Sequence, residues 1–191
     1  MKIGRTLALT AASGLLLASI PVAAQADTVE RRGSYTVPRG TTIDDDLVVR
    51  GGTVTIHGTV EGNVRQIGKG SVIVGKSGEV DGNITESGAG SVKVRGDVDG
   101  NVSERGNGAV RVYRSGEVDG NVSERGAGKL VVRGSVDGNV SEKGKGHVLI
   151  HRTAEIDGDV TERKAGNLYV YRGAEIEGDV SESGKGKLRT R

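Results

Sequence analysis

Acidic and amide side chains recur at a fixed spacing along this chain, and their oxygen atoms are the groups best suited to chemistry. The recurring residues are Asp81, Asp99, Asp119, Asp137 and Asp157, with Asn83, Asn101, Asn121 and Asn139. Carboxylate and amide oxygens at a regular step could bind divalent cations or an envelope glycan. The calcium-binding nonapeptide of other β-rolls is absent. The alternative is structural, with amides that stack from repeat to repeat and carboxylates that face water.

A second acidic column follows the same spacing. Its members are Glu86, Glu104, Glu124, Glu142, Glu162 and Glu182. We predict that these side chains are solvated and that neighbouring Arg and Lys residues reduce their mutual repulsion. Strand alternation beyond Val102 would instead point Glu104 inward. The prediction therefore requires a corner that begins between Val102 and Glu104.

The sequence offers no catalytic constellation. The three histidines are His57, His147 and His151, and no cysteine or acid accompanies them at metal-ligand spacing. Catalytic β-helices either keep a strict six-residue repeat or carry long loops, and this chain has neither. We expect a protein that is not an enzyme, with no cofactor and no metal.

These residues must be positioned by a solenoid, because the whole chain repeats. An acid, a Gly, an Asn or Asp, and a Val or Ile recur with a period of 18 or 20 residues from residue 61 onward. The chain contains 33 Gly, four Tyr and no Phe or Trp, which suits a narrow valine core better than a helical globule. The prediction is an all-β, single-domain parallel β-helix of about eight coils of 17–20 residues.

One coil can be read from side-chain alternation. Residues 98–102 read as a strand with Val98, Gly100 and Val102 inward, residues 103–108 as a turn, and residues 110–112 as a second strand. Returns to the next coil alternate in length by two residues, which preserves the parity of the inward valines. On the outer face of the second strand lie Val131, Leu149 and Tyr169, a candidate apolar strip for lateral contact. The alternative is an ordinary exposed strand face.

The N-terminal segment is interpreted as a targeting signal rather than as part of the fold. Lys2 and Arg5 precede an apolar run, and Ala24-Gln25-Ala26 offers a small-x-small cleavage site. We predict a signal peptide at residues 1–26 and a secreted or extracytoplasmic location at the cell envelope. Pro21 and two serines interrupt the run, which makes a membrane anchor the poorer interpretation.

Charge gives the mature chain no preference for polyanions. The full chain has 27 Lys and Arg against 25 Asp and Glu, and the predicted cleavage removes Lys2 and Arg5. The mature chain is then formally neutral, so no partnership with nucleic acid is expected, and none with a membrane after cleavage. The absence of cysteine excludes a disulfide framework.

The coil pattern resembles that of the bactofilins, a polymer-forming cytoskeletal family. The resemblance rests on Val54-x-Ile56-x-Gly58-x-Val60-x-Gly62-Asn63-Val64 and its copy that begins at Val92, and on the alternation of short and long corners. The opening residues 40–49 are also similar, with Asp45 where glycine is usual. The resemblance implies a right-handed β-helix over residues 40–191, with residues 27–39 as a lead-in or cap. Two features depart from the family, namely the export signal and a Gly-x-Gly insertion after each Ser-Glu.

The expected function is therefore structural. The hypothesis is an exported, bactofilin-like β-helix that self-associates into a homo-polymer through its coil ends or attaches to the cell envelope. The basic C-terminal residues 185–191 end part-way through a coil, and they would admit an acidic partner such as the Asp44-Asp45-Asp46 end of another subunit. The alternative is a module that binds envelope polysaccharide through the Asp and Asn ladders.

Overall fold

Every regular element in the part of the chain that the structure describes is a β-strand. The computed structural model describes residues 28–191. The first nine strands are β1 Thr28–Arg32, β2 Tyr35–Val37, β3 Thr42–Ile43, β4 Asp46–Arg50, β5 Val54–Ile56, β6 Thr59–Val60, β7 Val64–Gly68, β8 Val72–Val74 and β9 Glu79–Val80. The next nine are β10 Ile84–Gly88, β11 Val92–Val94, β12 Asp97–Val98, β13 Val102–Gly106, β14 Val110–Val112, β15 Glu117–Val118, β16 Val122–Glu124, β17 Leu130–Val132 and β18 Ser135–Val136. The last eight are β19 Val140–Glu142, β20 Val148–Ile150, β21 Glu155–Ile156, β22 Val160–Lys164, β23 Leu168–Val170, β24 Glu175–Ile176, β25 Val180–Gly184 and β26 Leu188–Thr190.

The strands form three parallel sheets, and each coil of the chain contributes one strand to each sheet. Sheet A contains β1-β4-β7-β10-β13-β16-β19-β22-β25, and sheet B contains β2-β5-β8-β11-β14-β17-β20-β23-β26. Sheet C contains β3, β6, β9, β12, β15, β18, β21 and β24. Eight coils thus have three strands and a last one has two. The predicted parallel β-helix of about eight coils is confirmed.

The core is a set of valine ladders held in register. Val102 pairs with Val122, and Val110 with Leu130, so that each coil repeats the inward positions of its neighbour. These inward side chains have 0% exposure. Parallel strands lie roughly 4.8 Å apart, which brings the β-branched side chains of successive coils into contact. One coil alone buries too little apolar surface to offset the entropy of its ordered backbone, so the coils stabilise one another.

Each coil has three faces, which corrects the two-strand prediction. Residues 99–101 form a corner between sheets C and A instead of continuing the strand from Val98 to Val102. The strand that begins at Val102 runs on to Gly106, so the predicted corner between Val102 and Glu104 is wrong. The turn between sheets A and B comes only after Gly106. Glu104 therefore lies within a strand, at the inward parity set by Val102.

The alternation between 18 and 20 residues arises at the corner between sheets B and C. Short corners join β11 to β12 through Arg95 and Gly96 alone. Long corners form a turn, as where the Gly116 amide donates to the Tyr113 carbonyl at 2.8 Å. The two extra residues project outward, and β14 and β15 keep their register with the neighbouring coils.

The beginning of the described chain already belongs to the solenoid. Residues 28–37, predicted as a lead-in or cap, contain β1 and β2, which pair with β4 and β5. The predicted signal peptide at residues 1–26 lies outside the described residues. Within residues 28–191, no helix is long and apolar enough to cross a membrane.

Candidate functional site: the polar ladders of sheet A

The asparagines line the corner where each coil enters sheet A, and they form a continuous amide ladder. Asn121 donates to the Oδ1 atom of Asn101 from its backbone amide and from Nδ2, both at 2.9 Å. Asn139 repeats both contacts with Asn121, at 2.8 and 3.0 Å. The Oδ1 atoms of Asn101 and Asn121 thus each accept two hydrogen bonds from the next coil. These amides join coils to one another, and that use occupies the acceptor groups that a glycan would need.

Aspartates close both ends of the amide ladder. Asn63 donates to the Oδ1 atom of Asp46 from its backbone amide at 2.7 Å and from Nδ2 at 3.0 Å. At the other end, the backbone amide of Asp179 donates to Oδ1 of Asp159 at 2.9 Å. An aspartate can accept from the next coil but cannot donate from its side chain. The native chain therefore shows that an aspartate in the ladder keeps the hydrogen bond accepted from the next coil and loses the one donated to the previous coil.

The predicted aspartate column lies beside the amide ladder and faces water. Its members Asp81, Asp99, Asp119, Asp137 and Asp157 are all exposed. Partial burial raises the pKa of the Asp119 carboxyl, and the charges of Asp137, Asp99 and Asp97 raise it further. Among the described residues, no cluster of three or more His, Cys, Asp or Glu could hold a metal ion. The column is a line of exposed, crowded carboxylates.

The glutamate column is the largest departure from the sequence prediction, because it lies inside the solenoid. Five glutamates that were expected to be solvated have 0% exposure, and the column begins with the equally buried Gln66. The buried glutamates are Glu86, Glu104, Glu124, Glu142 and Glu162. Glu182, in the last coil, is partly buried. A buried carboxyl needs a hydrogen-bond partner, and a glycine backbone amide of the same coil supplies it.

Each buried glutamate closes the enlarged corner of its own coil from the inside. Oε1 of Glu104 accepts from the Gly108 amide at 2.9 Å, and Oε1 of Glu124 accepts from the Gly128 amide at 3.1 Å. The same contact to the glycine four residues on recurs in Glu86, Glu142, Glu162 and Glu182. The carboxyl therefore takes the amide that the Gly-x-Gly insertion leaves without a partner in the next coil.

The corner is too tight for any residue but glycine at this position. A Cβ atom on Gly108 would overlap the carbonyl oxygen of Gly90, and one on Gly128 would overlap that of Gly108. The backbone of each corner thus rests directly on the backbone of the previous one. Water has no access to the carboxyl behind it.

The second carboxyl oxygen of each buried glutamate has no hydrogen-bond partner among the described residues. Burial raises the pKa of Glu104 to about 8, the Gly108 amide opposes that rise, and the neighbouring Glu124 and Glu86 carboxyls add to it. Burial, with the Glu124 and Glu162 carboxyls, likewise raises the pKa of Glu142 to about 8. Burial also raises the pKa of Glu86. Glu104 and Glu142 therefore hold protons at a pH where exposed glutamates are ionised.

The outer face of sheet A carries a basic column and a shallow groove. Ser103 and Arg105 on β13 are followed by equivalent hydroxyl and basic residues in the next three coils. Together with the amide ladder they line a groove of about 530 Å³. The groove residues are Asn101, Ser103, Arg105, Asn121, Ser123, Arg125, Asn139, Ser141, Lys143, Asp159, Thr161 and Arg163. The sequence prediction noted these bases only as partners for the glutamates, which are on the opposite side of the sheet.

The predicted apolar strip is brought together on sheet B. Val131 pairs with Leu149, and Leu149 with Tyr169, on successive strands. Val131 is only 8% exposed. The Arg191 guanidinium covers the Tyr169 ring at 4.6 Å from its centroid. Little continuous apolar surface is left for a lateral partner.

His147 and His151 each contact a residue of the next coil. Nδ1 of His147 accepts from the Asn167 backbone amide at 2.8 Å. The rings of His151 and Tyr171 lie 5.7 Å apart between centroids.

A stack of short parallel strands with valine ladders and alternating corners is what the bactofilin resemblance implies. A family model described as "Bactofilin: Polymer-forming cytoskeletal" matches residues 35–125 and, in a second overlapping match, residues 86–181. The chain belongs to the bactofilin family. Bactofilins are a structural, polymer-forming family, and the matched range includes the amide ladder, the buried glutamates from Glu86 to Glu162 and the groove.

One curated relative shares a shorter stretch. The chain is 37% identical over 65 residues to the anti-sigma-W factor RsiW of Geobacillus kaustophilus (strain HTA426). That match spans 34% of this chain and 32% of the relative, about a third of its length. No solved structure matches the chain.

Proposed function

We propose that this bactofilin is an exported, non-enzymatic structural protein that self-associates end to end or attaches to the cell envelope. Membership of a polymer-forming family is the observation that carries the self-association. Export rests on the predicted signal peptide at residues 1–26. An exported chain would use the family's fold outside the cytoplasm rather than as an internal scaffold.

The last strands of the described solenoid, β25 and β26, give this proposal a physical route. Leu188 on β26 occupies an inward position, in register with Leu168, yet it is 48% exposed. Leu168 has 0% exposure because the following coil covers it. A second copy that added its strands beside β25 and β26 would bury Leu188 and satisfy the free strand edge.

The acidic docking end expected from the sequence is corrected at one of its three residues. Asp44, Asp45 and Asp46 were expected at the N-terminal end of the solenoid, where they would meet a basic C-terminus. β1 pairs with β4, with Thr28 beside Asp46, so the first coil covers Asp46. Asp44 and Asp45 follow β3, the terminal strand of sheet C. Our proposal rests the end-to-end contact on the apolar Leu188 and the strand edges.

Negative-stain electron microscopy and light scattering of the mature chain, beginning at Asp27, test the end-to-end contact. We expect filaments whose length falls sharply in Leu188→Glu, because a charge would enter the core of the junction. Arg189→Glu is the matched control, since it places the same side chain one residue along, at the outward position. A wild-type chain that stays monomeric at high concentration contradicts the proposal.

Mass spectrometry and cell fractionation test export separately. The expected mature N-terminus is Asp27, found in the extracytoplasmic fraction. An intact N-terminus in the cytoplasm would refute export and leave the self-association untouched.

A second candidate function is recognition of an envelope polysaccharide by the aspartate column. Its support is a line of exposed carboxylates, and the occupied acceptors of the amide ladder count against a role for asparagine. Pull-down with isolated cell walls tests it. Binding that Asp119→Ala weakens while the circular dichroism spectrum is unchanged would favour this function, and equal retention of both proteins would remove it.

A further inference from the structure

Charge on the solenoid surface is sorted into columns that are not neutralised within the chain. Between residues 28 and 191 the only ion pair joins Arg50 to Glu30 at 2.6 Å. The basic column Arg105, Arg125, Lys143 and Arg163 therefore runs along sheet A without an acidic partner. The aspartate column runs parallel to it, also without one.

The two columns occupy opposite margins of the same face. Within one coil the order across the face is Asp99, Asn101, Ser103 and Arg105, and the next coil repeats it as Asp119, Asn121, Ser123 and Arg125. The acid lies at the corner with sheet C, and the base lies toward the corner with sheet B. Neutral amide and hydroxyl groups separate them.

We propose that this face is a lateral interface, in which the basic column of one copy receives the aspartate column of a second copy. The lateral contact goes beyond the end-to-end association proposed above and does not depend on the residues of that junction. It accounts for both unneutralised columns at once.

The axial repeat favours a second copy as the partner. Acid and base columns lie on the same coils, so both advance by the same step of roughly 4.8 Å. A second copy carries an identical step, which lets every rung of one column meet a rung of the other. A free polyanion could match the basic column, but it would lie beside the aspartate column of the same face and be repelled.

The order of the columns also sets the orientation. A two-fold axis parallel to the solenoid brings the acidic margin of each copy against the basic margin of the other, with coils in register. A two-fold axis perpendicular to the solenoid would place acid against acid and base against base. The charges therefore select a parallel pair with an isologous interface.

Charge reversal tests the pairing in a Leu188→Glu background, where the end-to-end contact is blocked. The basic-reversed variant is Arg105→Glu/Arg125→Glu, and the acid-reversed variant is Asp99→Lys/Asp119→Lys. Each alone should pair about tenfold or more weakly than its parent in sedimentation at low salt. A mixture of the two should recover the heterodimer, because both margins again join opposite charges.

Cysteine cross-linking tests the orientation, since the chain contains no native cysteine. Ser181 lies near one end of the hydroxyl column, so Ser181→Cys should form a disulfide-linked dimer only in a parallel pair. Lys93→Cys, on the outer face of sheet B, is the control that should remain unlinked.

Three results would overturn the proposal. The first is a parent that stays monomeric at low salt, and the second is a mixture that pairs no better than its separate components. The third is a parent that does not pair with itself but binds polyglutamate through Arg105 and Arg125, which would make the partner an anionic polymer. Failure of the end-to-end proposal would change none of these outcomes.

Discussion

The amide ladder and the glutamate column run along the same sheet with the same spacing, yet they stabilise the solenoid through different contacts. Asn121 lies on the exposed corner and exchanges hydrogen bonds with the coils on either side. Glu124 lies in the core, and its Oε1 atom accepts from the Gly128 amide of its own coil. The comparison teaches that a polar column can either join coils or close a single coil, and that the side of the strand decides which.

The largest expected effect comes from removal of a buried carboxyl. Glu124→Ala should lower the free energy of unfolding by about 3 kcal/mol, because it leaves the Gly128 amide unpartnered and opens a cavity. Urea unfolding at about pH 5 measures this loss. At that pH Glu104 and Glu142 are protonated, so the substitution does not also remove a charge repulsion between carboxylates. Ser123→Ala, on the outer side of the same strand, should change stability by less than about 0.5 kcal/mol. Equal effects would show that the carboxyl does not hold the corner.

The glutamate ladder should also make stability fall as pH rises. The pKa of Glu104 and of Glu142 is about 8 in the folded chain against 4.5 ordinarily, so the folded state holds more protons in between. Stability is then greatest below about pH 4.5 and declines up to about pH 8, as ionisation of these carboxyls comes to favour the unfolded chain.

Glu104→Gln/Glu142→Gln should flatten that decline. The substitution has a native precedent, because Gln66 occupies the same column with 0% exposure. Thermal unfolding across this pH range measures the slope. Asp137→Asn/Asp157→Asn removes two charges from the exposed column and should leave the slope nearly as it is, and an equal flattening there would contradict the assignment.

Loss of one rung of the amide ladder should cost less. Asn121→Ala removes its contacts to Asn101 and Asn139, and we expect about 1 kcal/mol because water replaces them at this exposed corner. Asn121→Asp should cost less, since Asp159 shows that a carboxylate still accepts from the next coil. Chemical denaturation separates the two, and an Asp variant as unstable as the Ala variant would argue against the ladder.

The smallest effect is expected in the aspartate column. Asp119→Asn should change stability by less than about 0.5 kcal/mol, and in the stabilising direction, because Asp137 and Asp99 crowd this carboxylate. A loss of more than about 1 kcal/mol would mean that Asp119 makes a structural contact.

Much of the fold could be predicted from the repeat. The 18- or 20-residue period predicted the coil, and the alternation around Arg111 predicted that Val110 and Val112 are buried. The corner at Asp99, Gly100 and Asn101 could not be read in the same way, because a bend that keeps inward parity leaves the pattern of a continuous strand.

The burial of glutamate was missed because the cost of a buried carboxyl outweighed the parity rule in the prediction. Parity from Val102 did place Glu104 inward. The prediction did not include the hydrogen bond from the Gly108 amide, which offsets part of the cost of burial. That amide belongs to the Gly-x-Gly insertion. A glycine four residues after each glutamate was the signal in the sequence. Recognising it required the three-dimensional path of the corner.

The long turn at Tyr113–Gly116 has a consequence for how such a chain can change over generations. The turn bonds to itself and projects away from the coil, whereas the corner at Gly108 presses against the backbone of Gly90. Insertions in even steps at the first corner keep every valine on its side of the strand, while the second corner admits no added bulk. The corner between sheets B and C can therefore lengthen, whereas the corner between sheets A and B cannot.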